Sequence, residues 1–347
     1  MSKIATIVAL AGITAAASAQ SITLERINTV NVANDINGQI GSIAWNGTDL
    51  YVGEYANANG LVGVVKVADA TTAPAFSRFG DQATQANRGV FGLDIRAGEL
   101  AVFHQTTGGG AATNAQVWDI TGTPTVSYNA GGLNPTGIGG IAFDEVNGGA
   151  AFAQFGAGRF RQFDAAGDIW DGATGPFNFD GQWGTAYRGM DMGDDGSIYA
   201  REGDQLVKFT RTGADTFMAP FTSSMILNGQ TNAATGDNTV GQGVEVADDF
   251  GVVFYNDRTN GAGGQLVGDV LKVVGTDGTA YALNFANSPA DFLTNAYLDF
   301  SYDPATQTLA VSNFSSNRVN IYRVTPTPGA LGVLGFAGLA AARRRRA

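Results

Sequence analysis

The 347-residue sequence predicts an all-β fold made of repeated four-stranded units. A strand-like motif with alternating apolar residues recurs six times along the chain, at intervals of 48 to 54 residues. Each copy is followed by a short turn rich in Gly, Asp or Asn, and then by a second and a third strand-like segment. One further strand-like segment, residues 21–30, precedes the first repeat and is not part of it.

The repeated motif is typical of β-strands because it alternates and is enriched in β-branched and aromatic residues, and the short turns indicate hairpins. Most repeats contain a fourth, weaker segment, which we predict at 168–170, 216–221 and 281–285 in the third to fifth repeats. Four antiparallel strands in about 50 residues are typical of one blade of a β-propeller. The six motifs are centred on Ile43, Leu93, Ile141, Met190, Val244 and Leu298.

The sixth repeat lacks a fourth strand, since its third strand runs straight into Pro326. We predict that residues 21–30 supply this strand beside residues 318–324, which closes the ring and removes exposed sheet edges. The sequence therefore predicts a six-bladed β-propeller over residues 20–325. A β-sandwich or a β-helix is the alternative, although a regular period of four-stranded units fits either of them poorly.

The N-terminal residues 1–19 have the pattern of a secretory signal peptide. Lys3 provides a positive charge, residues 4–16 are apolar, and small residues precede Gln20. We expect cleavage between Ala19 and Gln20, which makes signal peptidase a partner and the mature protein an exported one.

The C-terminal residues 326–347 combine a proline motif, a 14-residue apolar segment and an arginine cluster. This layout resembles the PEP-CTERM sorting signal of Gram-negative bacteria, with threonine where the family has glutamate. The resemblance implies an exosortase-type processing enzyme and a final location in the cell envelope, at the cell surface or outside the cell. A low-complexity basic tail is the alternative. The motif residues are Pro326, Thr327, Pro328, Arg343, Arg344, Arg345 and Arg346.

The apolar part of this tail is too short for a permanent transmembrane helix, since a helix needs about 20 residues to cross a bilayer. We therefore expect residues 329–342 to form a short helix that associates transiently with the inner membrane. The membrane contact of the protein is predicted to run only through this segment.

Composition excludes several classes of partner and chemistry. Without both signals the chain keeps 15 basic and 31 acidic residues, which argues against nucleic acid as a partner. The absence of cysteine excludes disulfides and thiolate catalysis. His104 is the single histidine in the sequence, so a zinc site with several histidine ligands is excluded and histidine-based catalysis is disfavoured. We assign no catalytic residue. We also expect the protein to be a monomer.

Four acidic residues of the repeated motif form the candidate functional site. The middle position of the repeated motif is acidic in four repeats and alanine, Ala44 or Ala142, in the other two. First strands line the channel of a propeller, so these groups are expected near its axis. These carboxylates either bind Ca²⁺ as a cofactor or accept hydrogen bonds from main-chain N–H groups and so hold the blades in register. The acidic residues are Asp94, Asp191, Glu245 and Asp299.

Long connections between repeats provide a candidate ligand face. Residues 168–189 contain Trp170, Trp183 and Tyr187 among polar residues, which suits stacking against sugars or a cover over the propeller. Residues 222–243 form a second long connection, and loops of this length are usually functional or disordered.

Three functions are compatible with these features. The first is a non-catalytic surface propeller that binds a glycan or a protein of the envelope or extracellular matrix. The second is a calcium-dependent hydrolase that uses the acidic channel, by analogy with lactonase-like and phytase-like six-bladed enzymes. The third is a purely structural surface protein.

Overall fold

A computed structural model describes most of the chain between Gln20 and Thr327. The described residues are 20–36, 38–55, 61–83, 89–105, 115–128, 138–146, 148–154, 159–163, 165–166, 177–178, 187–202, 205–211, 221–227, 240–260, 266–287, 297–314 and 316–327.

The fold is all-β, as predicted. The described part of the chain forms 24 strands and one 3₁₀ turn, Asp248–Phe250, and contains no α-helix. The first strand, β1, is Gln20–Asn31. The remaining strands fall into six successive units, which match the six sequence repeats.

The first three units contain four strands each. The first unit is β2 Gln39–Trp45, β3 Leu50–Tyr55, β4 Leu61–Ala68 and β5 Ala75–Ala83. The second unit is β6 Gly89–Arg96, β7 Glu99–Gln105, β8 Ala115–Asp119 and β9 Pro124–Tyr128. The third unit is β10 Ile138–Asp144, β11 Gly149–Gln154, β12 Arg159–Phe163 and β13 Phe177–Asn178.

The fourth and fifth units also contain four strands, and the sixth contributes three. The fourth unit is β14 Tyr187–Met192, β15 Ile198–Glu202, β16 Gln205–Arg211 and β17 Phe221–Leu227. The fifth unit is β18 Val240–Ala247, β19 Val252–Asn260, β20 Leu266–Gly275 and β21 Tyr281–Phe285. The sixth unit is β22 Tyr297–Asp303, β23 Thr308–Asn313 and β24 Arg318–Thr327.

Within each unit, consecutive strands pair antiparallel, apart from β20 and β21. The first two units share one sheet because Tyr55 of β3 pairs with Gly89 of β6. Short turns join the first and second strands, and Gly98 in the second unit has a φ of 82°, a value that favours glycine.

The predicted pairing of the N-terminal strand is confirmed. β1 runs antiparallel to β24, from the pair Ser21–Thr327 to the pair Asn31–Arg318, with an irregularity between Arg26 and Asn28. These two segments lie about 300 residues apart in sequence, yet β1 completes the sheet of the last unit.

Three details of the strand prediction are wrong, and a fourth lies outside the described residues. The strand that pairs with β12 is Phe177–Asn178, while residues 168–170 lie outside the described residues. The fourth strand of the fourth unit begins at Phe221 and occupies the start of the predicted connection 222–243. β21 pairs parallel with β1, and only the bridge Val274–Ala280 ties it to β20. β24 extends through Pro326 and Thr327, beyond the predicted boundary at 325.

The first strands of successive units lie side by side. β2 contacts β6, β6 contacts β10, β10 contacts β14, β14 contacts β18, β18 contacts β22, and β22 contacts β2. The six first strands therefore follow one another in a closed cycle of contacts.

Glycine allows this close approach. A Cβ atom at Gly41 would lie 2.0 Å from the Val90 carbonyl oxygen of the next first strand, and one at Gly243 would lie 2.4 Å from the Phe300 ring. The glycines of this set and the residues they face are Gly41 with Val90, Gly92 with Ile141, Gly140 with Met190, and Gly243 with Phe300.

The buried apolar side chains form six clusters among the described residues, and each is shared by two successive units. One cluster joins Trp45 of the first unit with Ile321 of the sixth, so the ends of the chain pack on a common core. β1 contributes Ile22 and Leu24 to the cluster between units five and six, and Val30 to the cluster between units six and one.

Candidate functional site

A small cavity lies where the six first strands meet. Its volume is about 20 Å³, and a single water molecule requires roughly 10–15 Å³. All four predicted acidic residues line it, together with residues from every first strand. The lining residues include Gly41, Asp94, Gly140, Asp191, Glu245 and Asp299.

Each acidic side chain accepts a main-chain hydrogen bond from the unit that follows its own. Asp94 of the second unit accepts the Phe143 N–H of the third at 2.6 Å through Oδ2. Its other oxygen, Oδ1, accepts the N–H of the adjacent Ile95 at 2.7 Å. Each carboxylate oxygen therefore accepts one main-chain N–H, and the side chain ties β6 to β10.

Asp191 repeats this arrangement between the fourth and fifth units. Its Oδ2 accepts the Val246 N–H at 2.7 Å, and its Oδ1 accepts the Met192 N–H at 2.8 Å. The same chemistry at an equivalent position shows that the acidic residue in the repeated motif serves a repeated structural purpose.

The last two carboxylates close the series. Glu245 Oε1 of the fifth unit accepts the Tyr302 N–H of the sixth, at 2.5 Å. Asp299 Oδ2 of the sixth unit accepts the Ile43 N–H of the first at 2.8 Å. This last bond joins residues 256 positions apart in sequence and ties the end of the repeat series to its start. Of the two roles predicted for the acidic residues, these bonds bear out the acceptor role.

The cavity environment raises the pKa of all four acidic groups. Burial raises the pKa of Asp94 to about 6, against the opposing effect of its hydrogen bonds from Phe143 and Ile95. Burial raises the pKa values of Asp191, Glu245 and Asp299 well above the ordinary range, and the neighbouring carboxylates add to the effect. Negative charge in this cavity is therefore costly.

The calcium prediction gains no geometric support. Among the residues that the structure describes, no three His, Cys, Asp or Glu side chains come close enough together to hold a metal ion. The four acidic side chains line one cavity without converging on one point.

Small buried polar side chains on the second strands support the first strands, and the sequence analysis missed them. Ser312 Oγ accepts the Asp299 N–H at 2.9 Å and donates to the Asp299 carbonyl oxygen at 3.0 Å. Asn256 Oδ1 accepts the N–H of Gly243 at 3.1 Å. In the sequence, each of these residues could have been recognised as a lone polar residue inside an otherwise apolar strand.

Other predicted residues lie outside the described residues or lack a described side chain. Trp170 and Trp183, the cleavage position Ala19, and the tail from Pro328 to Arg346 belong to the first group. Tyr187 begins β14 and pairs with Glu202, and His104 lies on β7 opposite Val90. Within the described ranges, no helix has the length and apolar character needed to cross a membrane.

No family model matches the chain, and no curated protein is significantly similar to it in sequence.

Proposed function

We propose that the protein is an exported, non-catalytic six-bladed β-propeller, sorted to the cell surface through its C-terminal segment. There it acts as a scaffold that binds a glycan or a protein of the envelope or extracellular matrix. In this proposal the six units are blades, and the cavity between their first strands is the central channel.

Three observations support the propeller. The closed cycle of first-strand contacts matches blades arranged around an axis. The six apolar clusters each lie between successive units, as the cores between blades do. Strand β1 supplies the fourth strand of the last unit, a common way to close a ring of antiparallel sheets, and β21 covers its other edge.

The observation that carries the non-catalytic role is the use of the carboxylates. Asp94 and Asp191 each have both oxygens engaged by main-chain N–H groups of two units. Hydrogen bonds to both oxygens use half of the acceptor sites of each carboxylate and fix its position between two units. Two residues held in this way serve the register of the blades.

Export and sorting rest on the sequence patterns at the two ends. Surface propellers commonly present loops for binding, which gives the aromatic connection 168–189 its proposed role.

One observation favours a calcium-dependent hydrolase as the second candidate. Four acidic side chains line a single cavity, and a bound cation would offset their mutual repulsion. In this candidate the four channel carboxylates hold the ion.

Analysis of the protein purified from its native host tests both candidates in one preparation. We expect the surface fraction to contain a chain that starts at Gln20 and has lost Arg343 to Arg346, as measured by intact mass. We expect metal analysis to find no stoichiometric ion, and a chelator to leave the melting temperature unchanged.

Two results would contradict the proposal in different ways. A surface-located chain that keeps all four terminal arginines would refute the sorting role. A stoichiometric ion whose removal lowers the melting temperature would favour the hydrolase over the scaffold.

A further inference from the structure

The first and last strands of the folded body place its two ends side by side. In the β1–β24 ladder, Ser21 pairs with Thr327 and Ile22 pairs with Pro326. Adjacent strands lie about 4.8 Å apart. The start of the mature chain therefore covers the residues that enter the C-terminal segment.

We propose that β1 is a gate on C-terminal processing, so that the tail can be removed only while residues 20–24 are unpaired from residues 324–327. This inference rests on the proposed function, because it assumes that the tail is processed. It goes beyond that function in naming the element that controls access and the order in which the two ends mature.

The main chain of residues 324–327, which lead into the tail and which we take as the junction, is already paired with β1. Arg26 donates its N–H to Asn287, and the Leu24 carbonyl oxygen accepts the Ala286 N–H, so these residues direct their polar groups toward β21. Polar groups alternate along a strand, so those of Ser21 and Thr23 are directed toward Thr327 and Thr325. Processing enzymes commonly bind an extended segment through the same main-chain groups.

The gate is held by buried side chains. Ile22 and Leu24 have no exposed surface and pack in the cluster that contains Tyr322 and Val324. The side chains of Thr325, Pro326 and Thr327 are exposed. The junction therefore presents its side chains to solvent, while its main chain stays paired for as long as the apolar residues of β1 are seated.

An order of events follows. Gln20 pairs with Tyr281 of β21, directly beside the predicted signal-peptide cleavage position. Signal peptidase needs this stretch extended and free, so its cleavage precedes the seating of β1. Removal of the tail hydrolyses one peptide bond, with water adding to the carbonyl carbon and the amine end leaving with the apolar segment. That step takes place before β1 is seated, or when its first residues open.

A disulfide lock tests the gate, because the natural chain contains no cysteine. Thr23 and Thr325 are opposite partners, and Cα atoms about 5.5 Å apart in such a pair suit a disulfide. The purified, signal-free precursor with Thr23→Cys and Thr325→Cys is incubated with membranes of the native host, with and without a thiol reductant. Controls are both single-cysteine variants and the far-end pair Asn31→Cys and Arg318→Cys.

We expect the oxidised near-end pair to be processed at least tenfold more slowly than the wild type, and reductant to restore its rate. The single variants and the far-end pair should be processed at the wild-type rate. If the oxidised near-end pair is processed as fast as the wild type, the gate is refuted while the sorting function stands. If the wild-type precursor is not processed at all, the sorting function itself fails.

A second variant covers the case in which the disulfide does not form. Thr23→Pro removes a main-chain N–H directed at β24 and should release the near end of β1. We expect the Thr325 amide to exchange its hydrogen at least tenfold faster in this variant, and processing to accelerate. Faster exchange of the Thr325 amide together with unchanged processing would overturn the gate.

Discussion

Deletion of residues 20–31 is expected to abolish the soluble, folded monomer. The deletion removes Ile22, Leu24 and Val30, which are all fully buried, from two apolar clusters. Burial of one such side chain contributes about 1.5–3 kcal/mol, so the loss rivals the 5–15 kcal/mol that typically stabilises a whole domain. The deletion also exposes the edges of β21 and β24, which favours aggregation. Size-exclusion chromatography and thermal unfolding measure both effects.

Point variants in the same strand separate packing from simple truncation. Leu24→Ala should cost about 2–5 kcal/mol because it leaves a cavity in the core between units five and six. Thr23→Ala, one position earlier and only partly buried, should cost less than about 1 kcal/mol. A soluble deletion variant as stable as the full chain would mean that β1 does not close the fold.

Among glycine-to-alanine substitutions in the first strands, Gly41→Ala is expected to lower the stability of the protein most. Its Cβ would lie 2.0 Å from the Val90 carbonyl oxygen, which is main chain and cannot rotate away. Overpacking of this kind costs about 1–3 kcal/mol and more when backbone must shift, so we expect a loss of at least that size. Denaturant unfolding measures it.

A graded series controls for the general effect of replacing glycine. Gly92→Ala would meet an Ile141 methyl group at 2.9 Å and the Ile141 main-chain nitrogen at 3.0 Å, both longer contacts than the 2.0 Å of Gly41→Ala, and should be milder. Gly98→Asn has no atom within 4 Å of its new Cβ, and asparagine tolerates a positive φ, so its cost should stay below about 1 kcal/mol. If Gly41→Ala is as stable as Gly98→Asn, β2 and β6 do not pack as closely as described.

The features that recur in every repeat could be predicted from the sequence. The alternating motif located the first three strands of every unit, and the strand missing from the sixth repeat identified residues 21–30 as the partner of β24. The shared acidic position of Asp94 and Asp191 predicted carboxylates gathered where the first strands meet. Each of these signals is local or occurs several times, so it remains visible in a single sequence.

Features that occur once escaped the sequence analysis. The parallel pairing of β21 with β1 joins segments more than 250 residues apart, and no local pattern encodes it. The short strand Phe177–Asn178 has too few residues for a periodicity to be seen. The close contact of Gly41 depends on the distance between two units, whereas the sequence shows only that glycine is frequent.

The raised pKa values of the acidic residues in the cavity predict that the stability of the protein depends on pH. A carboxyl group with a folded pKa above its unfolded value stabilises the protein fully below the unfolded pKa of about 4, and this contribution is lost as pH rises through the folded pKa. For Asp94 that pKa is about 6, and for the other three groups it lies well above the ordinary range. Stability should therefore fall as pH rises from 5 to 8, by on the order of 1 kcal/mol for Asp94 alone, because part of its contribution is already lost between pH 4 and pH 5.

The pH dependence of the melting temperature is the most direct test of the claim that buried carboxylates tie successive units together around one cavity. We expect the melting temperature to fall from pH 5 to pH 8 in the wild type, and to fall less in Asp94→Asn, which carries no charge there. Asp119→Asn is the control, since Asp119 lies outside the cavity and its pKa is lowered by hydrogen bonds from Thr121 and Thr123. It should keep the wild-type slope. A melting temperature that is constant or rises over this range, or an Asp94→Asn slope equal to that of the wild type, would contradict the account.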